Sequence, residues 1–468
     1  MKIGQDQVRE PAWSIQLRAL APLTPAASAM VSAVDEASLA TVSMPAVFKR
    51  PAKTGPIPSM VSIPGLTDGA GIVARSTGGS GSREAATEMN RSLIAQIRAM
   101  VPPTIPITLA IRFMRREGTH SRRELPWRVV KVDFYYPPSP PEGAAEEARA
   151  AVELGYDGFF SAETQYDPFL PLALASVEEP DLEVGTAIAV AFPRSPMVVA
   201  MTAWDLARMS RGKFMLGLGT QVRAHIVRRF STTWDRPVPR LREYIQSLRA
   251  IWDSWQNSVP LDFKGDFYRF SLMTPFFDPG PIASPDVPVY IAGVGPHLSR
   301  LAGELCQGFH VHPFHTVRYL DDVVLPAIRA GAEGAGREVE DVERVTTVFI
   351  MTGETDAEIE QSMAPVRQQI SFYASTPSYR PVLEANGWDF GAELTAMSKR
   401  GQWAEMADLV PEEAVLKVGV AAPIDRLAEA IKQRYGDRVQ RIGFYTIGSS
   451  LDTDPDALTE VIRQLKTG

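Results

Sequence analysis

The sequence predicts an α/β protein built on a (β/α)8 TIM barrel with insertions, preceded by a disordered N-terminal extension. Three observations predict it. Eight short β-rich runs recur from Val130 to Ile447, each followed by a helix-forming stretch. About 340 residues carry this alternation, enough for one barrel and two insertions. Glycine and polar residues gather just after the strands, where a barrel builds its site.

The elements follow in order. Val130 to Tyr136 reads as a strand stopped by Pro137-Pro138, and Glu142 to Leu154 as an amphipathic helix ended by Gly155. Gly158 to Ser161 is the second strand, with a helix over Asp167 to Val177. Leu182 to Val190 is the third, followed by a helix from Ser195 with Pro196 in its first turn. Lys213 to Gly219 is the fourth, with Pro239 to Trp255 helical. Residues 260–285 break the period with Gly265, Pro275, Pro279 and Pro281, which predicts an inserted hairpin or loop. Strands five to seven are Pro288 to Ala292, Gly308 to Val311 and Val345 to Met351, with helices Pro296 to Leu305, Val317 to Ala332 and 355–374. A second break, 375–420, holds helical pieces. The helix Pro423 to Tyr435, the strand Ile442 to Ile447 and the helix Pro455 to Leu465 close the count. A doubly wound open sheet is the competing topology.

Residues 1–128 read differently from 129–468. Prolines at 22, 25, 51, 56, 58 and 64 and the run Gly78-Gly79-Ser80-Gly81-Ser82 leave room only for a helix over 83–100 and a short strand over 105–114. Such a stretch buries too little apolar surface to offset chain entropy. It is read as a disordered arm, or as an upstream extension of a protein whose start lies near Val129. A signal peptide over 19–34 is disfavoured by its two prolines and by Arg18 as the only nearby basic flank.

Charge narrows the function. Residues 1–128 carry 16 Lys+Arg against 9 Asp+Glu, while the rest carries 32 against 46. An acidic body argues against a nucleic-acid partner, which needs clustered cations. No 18-residue apolar run is present, so no membrane partner is expected. One cysteine, Cys306, permits no intrachain disulfide and points to a reducing, cytoplasmic setting.

Several stretches could carry chemistry. Gly293-Val294-Gly295-Pro296 lies between a strand and a helix, where free N–H groups and the helix dipole attract a phosphate or carboxylate. A tight turn without ligand fits equally. His310, His312 and His315 cluster at the sixth strand, where a metal, a polar strand end facing a ligand and a solvated loop are the three readings. Glu163 follows the second strand and is a candidate buried acid, or part of a helix-capping region with Asp167. No G-x-S-x-G elbow or P-loop is present. The partial glycine patterns Gly217-x-Gly219 and Gly293-x-Gly295 lack the third glycine of a dinucleotide fingerprint.

Three stretches together resemble the bacterial luciferase-like oxidoreductase superfamily, and within it the branch that uses the deazaflavin coenzyme F420. They are Gly185 to Pro196, Met209 to Thr220, and Pro288 to Pro296 with Leu301-Ala302-Gly303-Glu304 and Gly308-Phe309 after it. The resemblance covers residues 129–468. It implies a (β/α)8 barrel with a flavin or deazaflavin across its C-terminal mouth. It also implies a bulge, often with a non-prolyl cis peptide, at Ala187 and Ile188 behind the ring. The cofactor phosphate would lie by Gly293, Val294, Gly295 and Pro296.

The catalytic correspondence is incomplete. An Asp-His pair of some relatives falls on Glu163 and Thr164, a catalytic glutamate on Val222, a ring-contacting asparagine on His225 and a threonine on His312. That leaves His225 and His312 as proton-transfer candidates, with unperturbed pKa values near neutrality, and Glu163 beside them. The expected activity is hydride transfer between F420 and a small organic substrate. The alternatives are a reduced-FMN monooxygenase of the same fold and a cofactor-binding protein without turnover. The oligomeric state is open, with a homodimer one reading because dimers are common among similar proteins.

Overall fold

A computed structural model describes residues 130–447, 449, 451 and 453–467. The expectations for residues 1–128 lie outside the described residues. The first strand, β1 (Lys131–Tyr136), buries Val132, Phe134 and Tyr136, with Asp133 among them. It pairs in parallel with β2 (Gly158–Ser161), which pairs with β3 (Glu183–Thr186). Continuing around the ring come β5 (Phe214–Gly219), β8 (Val289–Gly293), β9 (Gly308–Val311), β10 (Glu343–Gly353) and β12 (Arg441–Tyr445). The pairings β9–β10 and β12–β1 close eight parallel strands into a barrel, which excludes the open sheet.

Helices cover the outside: α1 (Ala144–Glu153), α2 (Phe169–Glu178), α3 (Pro196–Met209), α4 (Pro237–Asn257) and α5 (Pro296–Leu305). A helical stretch from Val317 runs through a π-turn into Leu325–Gly334; then come Asp356–Ala374, Leu427–Tyr435 and Pro455–Leu465. Their starts follow elementary capping chemistry. Ser195 accepts the N–H of Met197 ahead of Pro196, and Thr355 and Glu358 form a reciprocal capping box.

The expected third strand is two pieces, β3 and β4 (Ala189–Val190), interrupted by a cis peptide bond between Ala187 and Ile188, as the resemblance implies. Two details differ from the sequence reading. A strand β11 (Val420–Pro423) pairs beside the end of β10, outside the ring, where only the tail of an insertion and a helix start were expected. The eighth strand begins one residue earlier, at Arg441, because that residue is tied into the barrel interior. The first insertion forms the expected hairpin, β6 (Phe263–Lys264) against β7 (Arg269–Phe270). It is held on α4 by Glu243, whose carboxylate accepts the N–H groups of Asp266, Phe267 and Tyr268.

The N-terminal end of the barrel is closed by an ionic plug. Arg441, 1% exposed, donates two hydrogen bonds to Asp133, at 2.5 and 2.8 Å, and one to Glu183 at 2.5 Å. Burial pushes the Asp133 carboxyl up to about 6 against the pull of Arg441. Tyr290 donates to Glu343 at 2.6 Å on the same floor. Among the described residues no helix is long and apolar enough to cross a membrane, and no cluster of His, Cys, Asp and Glu could hold a metal.

Candidate active site

The candidate site is the C-terminal mouth, where the ends of β2, β3–β4, β5, β8 and β9 lie side by side in that order. Each end contributes a distinct piece. The β2–β3 ladder runs past the cis bond, with Ala187 N donating to Ser161 O at 2.8 Å and Glu163 N to Ile188 O at 3.0 Å. The Glu163 side chain, 5% exposed, then accepts the backbone N–H of Val190 at 2.7 Å and Arg194 Nη1 at 2.6 Å. Arg194 also donates to Asp167 at 3.0 Å, and Asp167 accepts the N–H of Phe169 where α2 begins. The carboxylate expected as a buried acid therefore holds the bulge in place.

Behind the bulge, Thr186 takes over from the interrupted ladder. Its buried hydroxyl donates to Gly217 O at 2.7 Å and accepts Gly217 N at 2.9 Å. Gly217 has no room for a side chain, because a Cβ there would lie 1.8 Å from Thr186 O. A Cβ on Gly219 would meet the Ile188 side chain at 2.5 Å. The two glycines of this strand thus serve packing, a role the partial fingerprint did not distinguish. Beneath them sits His310, buried against the rings of Phe160 and Tyr290. Its Nε2 has no hydrogen-bond partner among the described residues. Burial and Arg441 pull its pKa down to about 3, so it stays neutral.

The turn Gly293–Pro296 ends β8 and opens α5, with Gly295 at the N-cap carrying no capping side chain. Tyr319 donates to Val294 O at 2.8 Å and anchors the turn from behind. A Cβ on Gly295 would meet nothing within 4 Å. The turn is thus packed on one side, and its N-cap glycine faces open space. This is a fit for the phosphate end of a cofactor.

Gly293 pairs in register with Val311, which places His312 one residue beyond the neighbouring strand position. His312 is half-buried. Its Nδ1 accepts the N–H of Phe314 at 3.1 Å and its Nε2 lies 3.1 Å from Tyr379 Oη. Burial, with His315 adding to it, pulls its pKa down to about 3, which corrects the expected value near neutrality. His315 lies behind it, with Nδ1 2.8 Å from His312 O and a pKa pulled down to about 4, mainly by burial. His312 and His315 are therefore neutral rings fixed by hydrogen bonds, while His310 is a neutral ring held by its aromatic neighbours.

His225 is exposed, in the π-turn His225–Arg229 after β5. Partial burial and the nearby Arg229 and Arg228 lower its pKa. Arg229 donates to Thr164 O, tying this loop to the one after β2. Sequence reasoning missed Arg194, Thr186 and Tyr379. Opposite charges on two adjacent strand ends were a usable signal for Arg194 and Glu163. Tyr379 lies in the second insertion, whose sequence has no readable period.

Comparison with known proteins defines the class. The luciferase-like monooxygenase family matches residues 127–441, and the chain belongs to that family. It is 44% identical over 319 residues to an uncharacterized protein of Mycobacterium tuberculosis, covering 67% of this chain and 93% of that one. It is 27% identical to a putative coenzyme F420-dependent oxidoreductase of the same species, covering 63% and 87%. Among solved structures, the coenzyme F420-dependent tetrahydromethanopterin reductase of Methanopyrus kandleri shares the fold. Its TM-score is 0.59 at 19% identity, covering 73% of this chain and 98% of that one.

Proposed function

We propose that this protein is an F420-dependent oxidoreductase that passes a hydride between the deazaflavin and a small organic substrate. One observation carries the reading. The Ala187–Ile188 bulge and the open Gly293–Gly295 turn border the same barrel mouth, with only the end of β5 between them. In this reading Ala187 and Ile188 support the ring from behind, and Gly293, Val294, Gly295 and Pro296 hold the phosphate. The deazaflavin, when bound, supplies the two-electron chemistry, and the chain supplies orientation and exclusion of water. Glu163 is a positioning residue for the bulge. His312 is a fixed neutral ring at the mouth, and His225 is the exposed histidine left to exchange a proton. A small molecule is the partner, the assembly is a homodimer and the setting is cytoplasmic.

A reduced-FMN monooxygenase is the second reading, favoured by the family's own name. The absorption spectrum of protein purified from a host that makes both cofactors separates the two. The proposal expects the absorption spectrum of the deazaflavin and no flavin spectrum. A flavin spectrum, with oxygen consumed on addition of reduced FMN, replaces it with the second reading.

A further inference from the structure

The second insertion delivers a phenol to the mouth. His312 Nδ1 accepts the Phe314 N–H, which fixes the neutral ring as the Nε2–H tautomer. That N–H therefore donates to Tyr379 Oη across 3.1 Å. A phenol that accepts at this bond keeps its own O–H to donate elsewhere. Tyr379 is only half-buried, so that donor is not sealed in the core.

The surrounding wall is aromatic. The ring centroid of His312 lies 4.6 Å from that of Tyr379 and 4.7 Å from that of Tyr373, nearly perpendicular to the latter. Phe314 stacks on Tyr373 at 6.3 Å and meets Tyr379 edge-on at 6.0 Å. The groups that act electrostatically on His312, Tyr373 and Tyr379 are other phenols, the Gln369 amide and the neutral His315. Among the described residues, no cation or carboxylate belongs to this set.

We infer that Tyr379 is the substrate-contacting residue of this wall, and that the site takes an uncharged, apolar carbonyl compound whose oxygen accepts the Tyr379 O–H. The inference deepens the oxidoreductase reading above and rests on it for the location of the mouth. A neutral donor on an aromatic wall satisfies a ketone, aldehyde or enone oxygen. It offers nothing to compensate the desolvation of a phosphate or carboxylate. The role belongs to the hydroxyl, since the ring alone would serve packing.

The test compares the full-length protein with Tyr379→Phe, which keeps the ring that packs on His312. Calorimetry of the protein saturated with oxidised F420, which fills the phosphate turn, measures binding of cyclohex-2-enone, benzoate and glucose 6-phosphate, and a separate fluorescence titration measures F420. The expected result is enone binding by the wild type, weakened at least about 10-fold in Tyr379→Phe. The two anions show no binding, and F420 affinity is the same in both proteins. Equal enone binding by both proteins, preference for either anion, or no enone binding by the wild type overturns the inference. Loss of F420 binding by the wild type, with the enone difference intact, overturns the cofactor reading alone.

Discussion

Glu163 and Val190 are joined by a 2.7 Å hydrogen bond from the Val190 backbone to the Glu163 carboxylate, and this bond spans the bulge at Ala187 and Ile188. The same oxygen takes Arg194. One side chain just after the second strand thus fixes the backbone of the third where the ring of a cofactor is proposed to rest.

Replacing this carboxylate tests that link. Glu163→Ala leaves a backbone N–H without its acceptor and a guanidinium with one carboxylate fewer. It should cost about 1.5–3 kcal/mol of stability, the range for hydrogen bonds to charged groups. F420 affinity should fall about 10-fold as the bulge loosens. Glu163→Gln keeps an acceptor for Val190 and should lose less on both counts. Chemical denaturation and a cofactor titration on the two variants read this directly.

The ionic plug at the barrel floor should be more costly to break. Arg441→Met strands Asp133 in the interior, and removing one partner of a buried pair costs about 3–5 kcal/mol. The double variant Arg441→Met/Asp133→Leu should recover part of that loss, because the fully buried carboxylate is gone and Glu183 keeps its ion pair with Lys131. A double variant less stable than the single one contradicts this account of the plug.

Acid should destabilise the fold through its histidines. His310, His312 and His315 titrate near 3, 3 and 4 in the native state, against 6.5 in a free chain. Their stabilising contribution is complete above pH 6.5. It is lost as pH falls, at up to about 1.4 kcal/mol per pH unit for each ring, because the unfolded chain then binds the protons. Asp133, raised from 3.8 to about 6, acts in the opposite sense over that interval. The midpoint of thermal unfolding should fall between pH 6 and pH 4.5, and His315→Gln should make that fall shallower.

The outer face of α2 and α3 bears on assembly. Leu170, Val177, Val198 and Met201 are each more than half exposed there, and four apolar residues close together are costly to leave in water. A groove of about 380 Å³ runs between the two helices, lined by Phe169, Leu170, Val198 and Met201. Light scattering on the purified protein should give twice the chain mass, and Val177→Glu with Met201→Lys should return it to one.

Much of this architecture is legible in the residues, for identifiable reasons. Strands such as Phe214–Gly219 and Gly308–Val311 are wholly buried, so they read as short apolar runs bounded by polar turns. The Gly293–Gly295 turn was visible because glycine before Pro296 has few other uses. The His312 environment was hidden, because its partners Tyr373 and Tyr379 come from more than sixty residues further along the chain. Burial, which a sequence does not display, decides its protonation. Strand β11 was missed because four residues ending in Pro423 carry no strand period.

The central claim is that the mouth between the Ala187–Ile188 bulge and the Gly293–Gly295 turn binds a deazaflavin. Fluorescence titration of the wild type and of Gly295→Val with F420 and with FMN tests it most directly. The account predicts micromolar or tighter binding of F420 by the wild type, a loss of at least about 10-fold in Gly295→Val, where a side chain fills the open space before the turn, and weaker binding of FMN. FMN bound more tightly than F420, or F420 bound equally by both proteins, would contradict it.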